Sequence, residues 1–240
     1  MKTICLDFGN TRLKAAVFED GNILHAQSLR EDGAEDVHML LNLYQPERSI
    51  LSSVIHHAPI IVDTLKRHTR FHLLSPQSKL NFTLAVGKPD TMGADRLALA
   101  SAAVHFFPST HNLVIGLGSC ITYNFINKYH SFLGGSISPG LEMRFRSMHE
   151  HTALLPLIQK EWDFPLIGYD TKTNLLSGVI MGMAKEIEGI VHEYEKRYGN
   201  FNVVLTGGDC TYFASLLKNR IFADPEFLFK GLYAISETNN

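Results

Sequence analysis

The stretch "LDFGNTRLK", Leu6–Lys14, puts a carboxylate into the same short turn as a glycine, two small polar residues and a lysine. Gly9 permits close backbone approach, Asn10 and Thr11 add donors, and Lys14 brings positive charge, a set suited to phosphate oxygens. Asp7 repels a phosphate unless a cation lies between them. Mg²⁺ on a nucleotide keeps several waters and takes one or two carboxylates, so Asp7 reads either as a metal-facing group or as a strand-ending Asp that caps the turn. A second stretch, "MGADRLALASAA" (Met92–Ala103), sets Asp95 and Arg96 just after a glycine at the start of a helical run. A helix N-terminus favours a charged carboxylate. There, Asp95 could take a hydroxyl proton and Arg96 could bind an anionic substrate group, or the two are a cap and a surface charge.

Three more glycine-rich stretches follow. "GLGSC" (Gly116–Cys120) repeats the glycine hairpin, with Gly118 and Ser119 placed for phosphates or simply for a tight turn. "GGSISPG" (Gly134–Gly140) offers close backbone approach or a structural loop. "TGGD" (Thr206–Asp209) ends a strand and opens a helix, so Gly207 and Gly208 lie against a nucleoside or serve a cap. Of twelve histidines the densest groups are His56-His57 and His149-Glu150-His151, and neither has metal-ligand spacing or a nearby cysteine. No GxGxxG, GxxxxGK[ST] or GxSxG occurs.

The elements that must position these groups alternate along the chain. "TICLDFG" is a strand and turn, and "LKAAVFEDGNIL" is two strands around Asp20-Gly21. "DVHMLLNLY" is helical, "RSILSSV" a strand, "IIVDTLKRH" and "DRLALASAAVHFF" helical. "LVIGLGSCITYNFI" is again strand, glycine turn and strand. "HSFLGGSISPG" carries a third strand followed by a Gly/Pro loop, then "TNLLSGVIMGMAKEIEGIVHEYEKRY" is a long helix, "FNVVLTGG" a strand and "CTYFASLLKNR" a helix. Asp7–Thr11 lines up with Gly116–Cys120. The return of the opening pattern predicts a duplicated α/β chain with a cleft between the copies, residues 1–108 and 109–240, divided near Pro108-Ser109-Thr110. In the long helix Leu175, Leu176, Val179, Ile180 and Met183 recur at helical spacing, as a dimer face or a core face.

Composition is that of an ordinary globular protein: 45% apolar, 19% charged, net charge −2. Scattered Lys and Arg argue against a nucleic-acid module. Cys5, Cys120 and Cys210 lie far apart, without metal or redox spacing, and read as buried reduced thiols. Neither a signal peptide nor a membrane span is expected, which makes the expected location cytoplasmic.

Taken in order, "DFGNTRLK", "GADRLA", "GLGSCIT", "GGSISPG", "DTKTNLLSG", "TGGD" and "FLFKGL" resemble the type III pantothenate kinases, from Lys2 to about Leu232. The resemblance implies a duplicated ribonuclease-H-like fold of the actin, Hsp70 and sugar kinase superfamily. It implies ATP-dependent phosphorylation of pantothenate, the first step of coenzyme A synthesis, by a homodimer. In that pattern Asp7 serves Mg²⁺ and the phosphates, with Asn10, Thr11 and Lys14 around them. Asp95 matches the base, and Gly93 and Arg96 match the pantothenate pocket. Thr171 matches a residue reaching the pantothenate site from the partner subunit, and Gly207 and Gly208 match the adenosine-side loop. Two positions depart from the pattern. Gly116 stands where the family has an aspartate tied to a monovalent cation (K⁺ or NH₄⁺), and Val86 stands where it has a tyrosine. Other readings are a different small-molecule kinase of the superfamily, or a nucleotide-binding regulator that kept the fold.

Overall fold

A computed structural model describes residues 1–30, 32–219 and 221–239. The chain forms two compact units. The first takes in residues 1–109, residues 126–134 and the segment that begins at Glu226, and the second takes in residues 110–125 and 135–225.

In the first unit, β1 (Lys2–Phe8) pairs antiparallel with β2 (Leu13–Glu19), which pairs with β3 (Asn22–Ser28). Asp20 (φ 49°) and Gly21 (φ 85°) close that second hairpin in left-handed backbone, the conformation an Asp-Gly pair adopts cheaply. After α1 (Ala34–Tyr44), β4 (Arg48–Ser53) runs parallel to β1. Next, α2 (Pro59–His68) leads to β5 (Arg70–Leu73), and the sheet order is β3-β2-β1-β4-β5. A short β6 (Thr83–Leu84) precedes α3 (Ala94–Phe106), which is buried almost all round because its residues are small or apolar on every face.

The C-terminal helix α7 (Phe227–Asn239) packs against α3. A Cβ on Gly231 would lie 1.9 Å from the Ala98 carbonyl oxygen, so the two backbones touch. Arg48 pairs with Glu237 at 2.7 Å, and Phe18 stacks on Tyr233 with ring centroids 4.7 Å apart.

The second unit repeats the opening motif. β7 (His111–Leu117) and β8 (Cys120–Ile126) form the hairpin around Gly118-Ser119. β7 has the burial pattern of β1 residue for residue, so Gly116 stands where Asp7 stands. β9 (Ser131–Pro139) begins in the first unit, pairing with β6, and runs on into the second. The expected loop at Gly134–Gly140 is therefore strand as far as Pro139. α4 (Leu141–Glu150) and the 28-residue α5 (Thr171–Tyr198) follow. A capping box starts α5: the Asp170 carboxylate accepts from the Thr173 N–H at 2.7 Å.

β10 (Phe201–Gly207) pairs parallel with both β7 and β11 (Phe222–Ala223), and α6 (Cys210–Leu216) lies between them in the chain. The helix expected through Arg220 stops at Leu216, and Arg220 itself lies outside the described residues. Leu175, Leu176, Val179, Ile180 and Met183 are buried with Ile121, Tyr123 and Leu205 in this unit's core. The apolar face of α5 is a core face and is not available to a partner subunit. Among the cysteines, Cys5 and Cys210 are buried as expected, and Cys120 is half-buried.

Candidate active site

Asp7 is the last residue but one of β1, the central strand of its sheet. Antiparallel pairing sets Lys14 of β2 opposite it, and parallel pairing sets Ser52 of β4 on its other side. The fully buried Ser52 donates its hydroxyl to Asp7 Oδ1 at 3.3 Å. Burial, and then the negative charge of Asp95, push the Asp7 carboxyl up from 3.8 to about 6, while Lys14 and Ser52 pull the other way. Asp7 and Asp95 therefore share one electrostatic environment.

Asp95 is the second residue of α3. Burial raises its carboxyl, and the Arg96 N–H and the Arg96 charge oppose that rise. Gly93 caps the helix from extended backbone. A Cβ there would lie 2.5 Å from Asp95 Oδ1, so any side chain at 93 displaces the carboxylate. The Arg96 guanidinium lies over the Phe132 ring, 5.5 Å from its centroid, which fixes the plane of the cation. Val86 is half-buried, 3.8 Å from where a Gly134 Cβ would stand.

In the first glycine turn the Gly9 N–H donates to the Arg12 carbonyl at 3.1 Å and closes the turn. Asn10 and Thr11 occupy the exposed tip, with Lys14 just behind them on β2. The second turn repeats this, the Gly118 N–H donating to the Cys120 carbonyl at 3.1 Å and leaving Ser119 beside it. In both turns glycine makes the bend tight, and any anion donors come from its neighbours.

In the second unit Gly207 ends β10 at φ 99°, beside Leu117 of β7. A Cβ on Gly207 would meet the Leu117 carbonyl oxygen at 2.2 Å. The Gly118-Ser119 and Gly207-Gly208 turns thus share the carboxyl ends of two adjacent parallel strands, the place where open α/β sheets take ligands. Lys160 pairs with Asp209 just beyond them. Thr171 is exposed in the first turn of α5.

The first unit thus brings together Asp7, Lys14, Gly93, Asp95 and Arg96, and the second brings together Gly118, Ser119, Gly207 and Gly208. Sequence reasoning did not single out Ser52 or Phe132. The polar pair Ser52-Ser53 at the end of an apolar strand was a usable signal. Phe132 gave none, since its place beside Arg96 depends on long-range pairing. Among the described residues no cluster of three or more His, Cys, Asp or Glu is placed to hold a metal, and no helix is long and apolar enough to cross a membrane.

The comparisons with known proteins agree on one family. A family model described as type III pantothenate kinase matches residues 3–193. The type III pantothenate kinase of Christiangramia forsetii is 39% identical over 98% of each chain. A solved Campylobacter jejuni protein, named as a Baf family transcriptional activator, superposes with a TM-score of 0.63 at 20% identity over 98% of each chain. A Listeria monocytogenes protein described as an N-acetylmannosamine kinase gives 0.54 at 11% over the whole of both. Those two likenesses speak to fold alone, and the fold is the duplicated ribonuclease-H-like one of actin-like ATPases and sugar kinases. With the family model covering most of its length and a relative 39% identical nearly end to end, the chain belongs to the type III pantothenate kinase family.

Proposed function

We propose that this kinase transfers the γ-phosphoryl group of ATP to the hydroxyl of pantothenate, giving 4′-phosphopantothenate and ADP for coenzyme A synthesis, with Asp95 as the base. The observation that carries the reading is a pair of desolvated carboxylates, Asp7 and Asp95, held at the ends of β1 and α3 beside Arg96. Phosphoryl transfer asks a protein for positioning, charge neutralisation and an oriented hydroxyl more than for covalent chemistry. Asp95 takes the hydroxyl proton, Arg96 pairs with the pantothenate carboxylate, and Gly93 leaves room for the Asp95 carboxylate. Asn10, Thr11 and Lys14 serve the phosphates from the first unit. Gly118, Ser119, Gly207 and Gly208 serve the nucleotide from the second.

A buried carboxylate whose pKa is raised further by the charge of a second one fits a divalent cation, and Asp7 is the residue to hold Mg²⁺. When bound, that ion neutralises phosphate charge. The test is ADP release from ATP with and without pantothenate. Strict dependence on pantothenate is expected, whereas release indifferent to it would sink the reading.

A monovalent cation fits less well. In the first unit Ser52 donates to Asp7; in the second, the matching pair is Thr206 and Gly116. Among the described residues Thr206 Oγ1 is buried without a hydrogen-bond partner, and Gly116 beside it has no carboxylate to receive the hydroxyl. Removing one anion from a ligand set weakens cation binding. K⁺ and NH₄⁺ at fixed ionic strength should therefore activate weakly, and Gly116→Asp should strengthen the activation. Strong, saturable activation of the parent, unchanged in the variant, would refute this.

We also read the enzyme as a cytoplasmic homodimer in which Thr171 contacts the pantothenate site of the partner. Leu154, Leu166, Ile167 and Tyr169, just ahead of Thr171, are 93%, 73%, 84% and 81% exposed, a concentration of apolar surface that association would cover. Sedimentation at assay concentration should give a dimer, and an active monomer would defeat the reading. Three free thiols suit a reducing compartment.

A further inference from the structure

We propose that Arg144 and Glu186 are positioning residues that set the second glycine turn for the phosphates of ATP. The inference rests on the reading that Gly118 and Ser119 serve the nucleotide, and it concerns groups one layer behind them. Arg144 lies in the first turns of α4. Its Nε donates to the Pro139 carbonyl at 2.9 Å, its Nη2 donates to Ser138 Oγ at 3.1 Å, and the same nitrogen pairs with the Glu186 carboxylate. Glu186, midway along α5, also accepts from the Tyr123 hydroxyl of β8 at 3.1 Å. Burial works against its charge, yet bonds from Arg144, Ser138 and Tyr123 hold the carboxyl below its ordinary range. One ion pair thereby joins α4, α5, β8 and the end of β9.

What the pair holds is the end of β9, Ser138-Pro139, and the corner at Gly140 where α4 begins, and that bend from strand to helix bears directly on the glycine turn. The Gly140 N–H donates to the Ser119 carbonyl at 3.1 Å. A Cβ on Gly140 would lie 2.3 Å from the Gly118 oxygen and 2.5 Å from the Ser119 oxygen. With no slack between bend and turn, a shift in one moves the other. The side chains of Arg144 and Glu186 are only 21% and 24% exposed. A pair taken that far out of water adds little net stability over apolar residues of similar size, so its value lies in the geometry it enforces. Arg suits the task because its planar fork reaches a carbonyl, a hydroxyl and a carboxylate at once, which a lysine cannot do.

The experiment measures steady-state kinetics with each substrate varied, together with thermal unfolding, for Arg144→Met, Glu186→Gln and Ser138→Ala. Arg144→Met should raise KM for ATP about tenfold or more, toward the ~10²-fold that a displacement of about 1 Å can cost, and leave KM for pantothenate within about twofold. Glu186→Gln and Ser138→Ala should give smaller shifts of the same kind. Arg144→Lys should recover little, and the Arg144→Met/Glu186→Gln double variant should be no worse than Arg144→Met alone, since both act through one network. Should Arg144→Met fail to fold, the other two variants carry the same test. Folded variants with an unchanged KM for ATP, or with both KM values rising together, would overturn the proposal. Gly118→Val is the control: an ATP KM indifferent to a side chain in the turn itself would overturn the nucleotide role of the turn, and the proposal with it.

Discussion

Asp95→Asn should abolish pantothenate phosphorylation and leave ATP binding largely intact. A positioned general base contributes typically ~10²–10⁴-fold, so the loss in kcat should be at least ~10²-fold. Asparagine has nearly the shape of aspartate and can still lie over Gly93 at the start of α3, but it cannot take a proton. The carboxyl of Asp95 is raised by burial, which makes it a stronger base than a solvated aspartate. The two substrates separate the possibilities. Calorimetric titration with an unreactive ATP analogue should give near-parental affinity while turnover collapses. A second readout follows from the coupling of the two carboxylates. The Asp95 charge raises the Asp7 carboxyl, so Asp95→Asn should lower the Asp7 pKa, visible in a carboxyl ¹³C titration. An Asn variant within tenfold of parental turnover would remove the base role from Asp95.

Asp7→Asn should lose activity and gain stability. The activity loss follows from removing the carboxylate suited to hold Mg²⁺ against the phosphates, an electrostatic contribution made in a partly desolvated site. The stability gain follows from the raised pKa. The folded protein holds Asp7 up at about 6 against an ordinary 3.8, so the charged form is disfavoured by folding. That cost is fully present above pH 6, shrinks as pH falls toward 3.8, and is absent below it. It corresponds to ~3 kcal/mol at neutral pH. Asparagine carries no such cost and can still accept from Ser52, so the variant should melt several degrees higher at pH 8 and gain little near pH 4. A variant that melts at or below the parent at pH 8 would contradict the electrostatic account. In the parent, activity should fall as pH drops through about 6, because a protonated Asp7 no longer attracts a cation.

The opening hairpins, the Asp20-Gly21 turn, the helical start at Gly93-Ala94-Asp95 and the long α5 were legible in the sequence. Each depends on interactions within a few residues. A period of 2 or 3.6, or a glycine where the chain bends, can be read along the chain. The repeat of the strand–glycine–strand motif was legible too, and the identical burial of β1 and β7 shows why: both strands must fill the same position in a sheet. The chemistry expected of Asp7, Asp95 and Arg96 came from residue type and order.

What the chain could not disclose was every relation that depends on which faces meet. "FLFKGLYAISETN" has the pattern of a helix, but only packing returns it to α3, where Gly231 touches the Ala98 carbonyl. The apolar stripe of α5 reads equally as core or interface until the sheet of its own unit covers it. "GGSISP" has turn composition, and only the neighbouring strands make it a strand. The partnership of Asp7 with Ser52 spans 45 residues, and the orphaned Thr206 hydroxyl appears only when parallel pairing sets it beside Gly116. Local sequence fixes dihedral preferences and the spacing of apolar groups. The burial of a charge, the register between distant strands and the partner of a buried hydroxyl are set by long-range contacts, whose energies no short window of sequence contains.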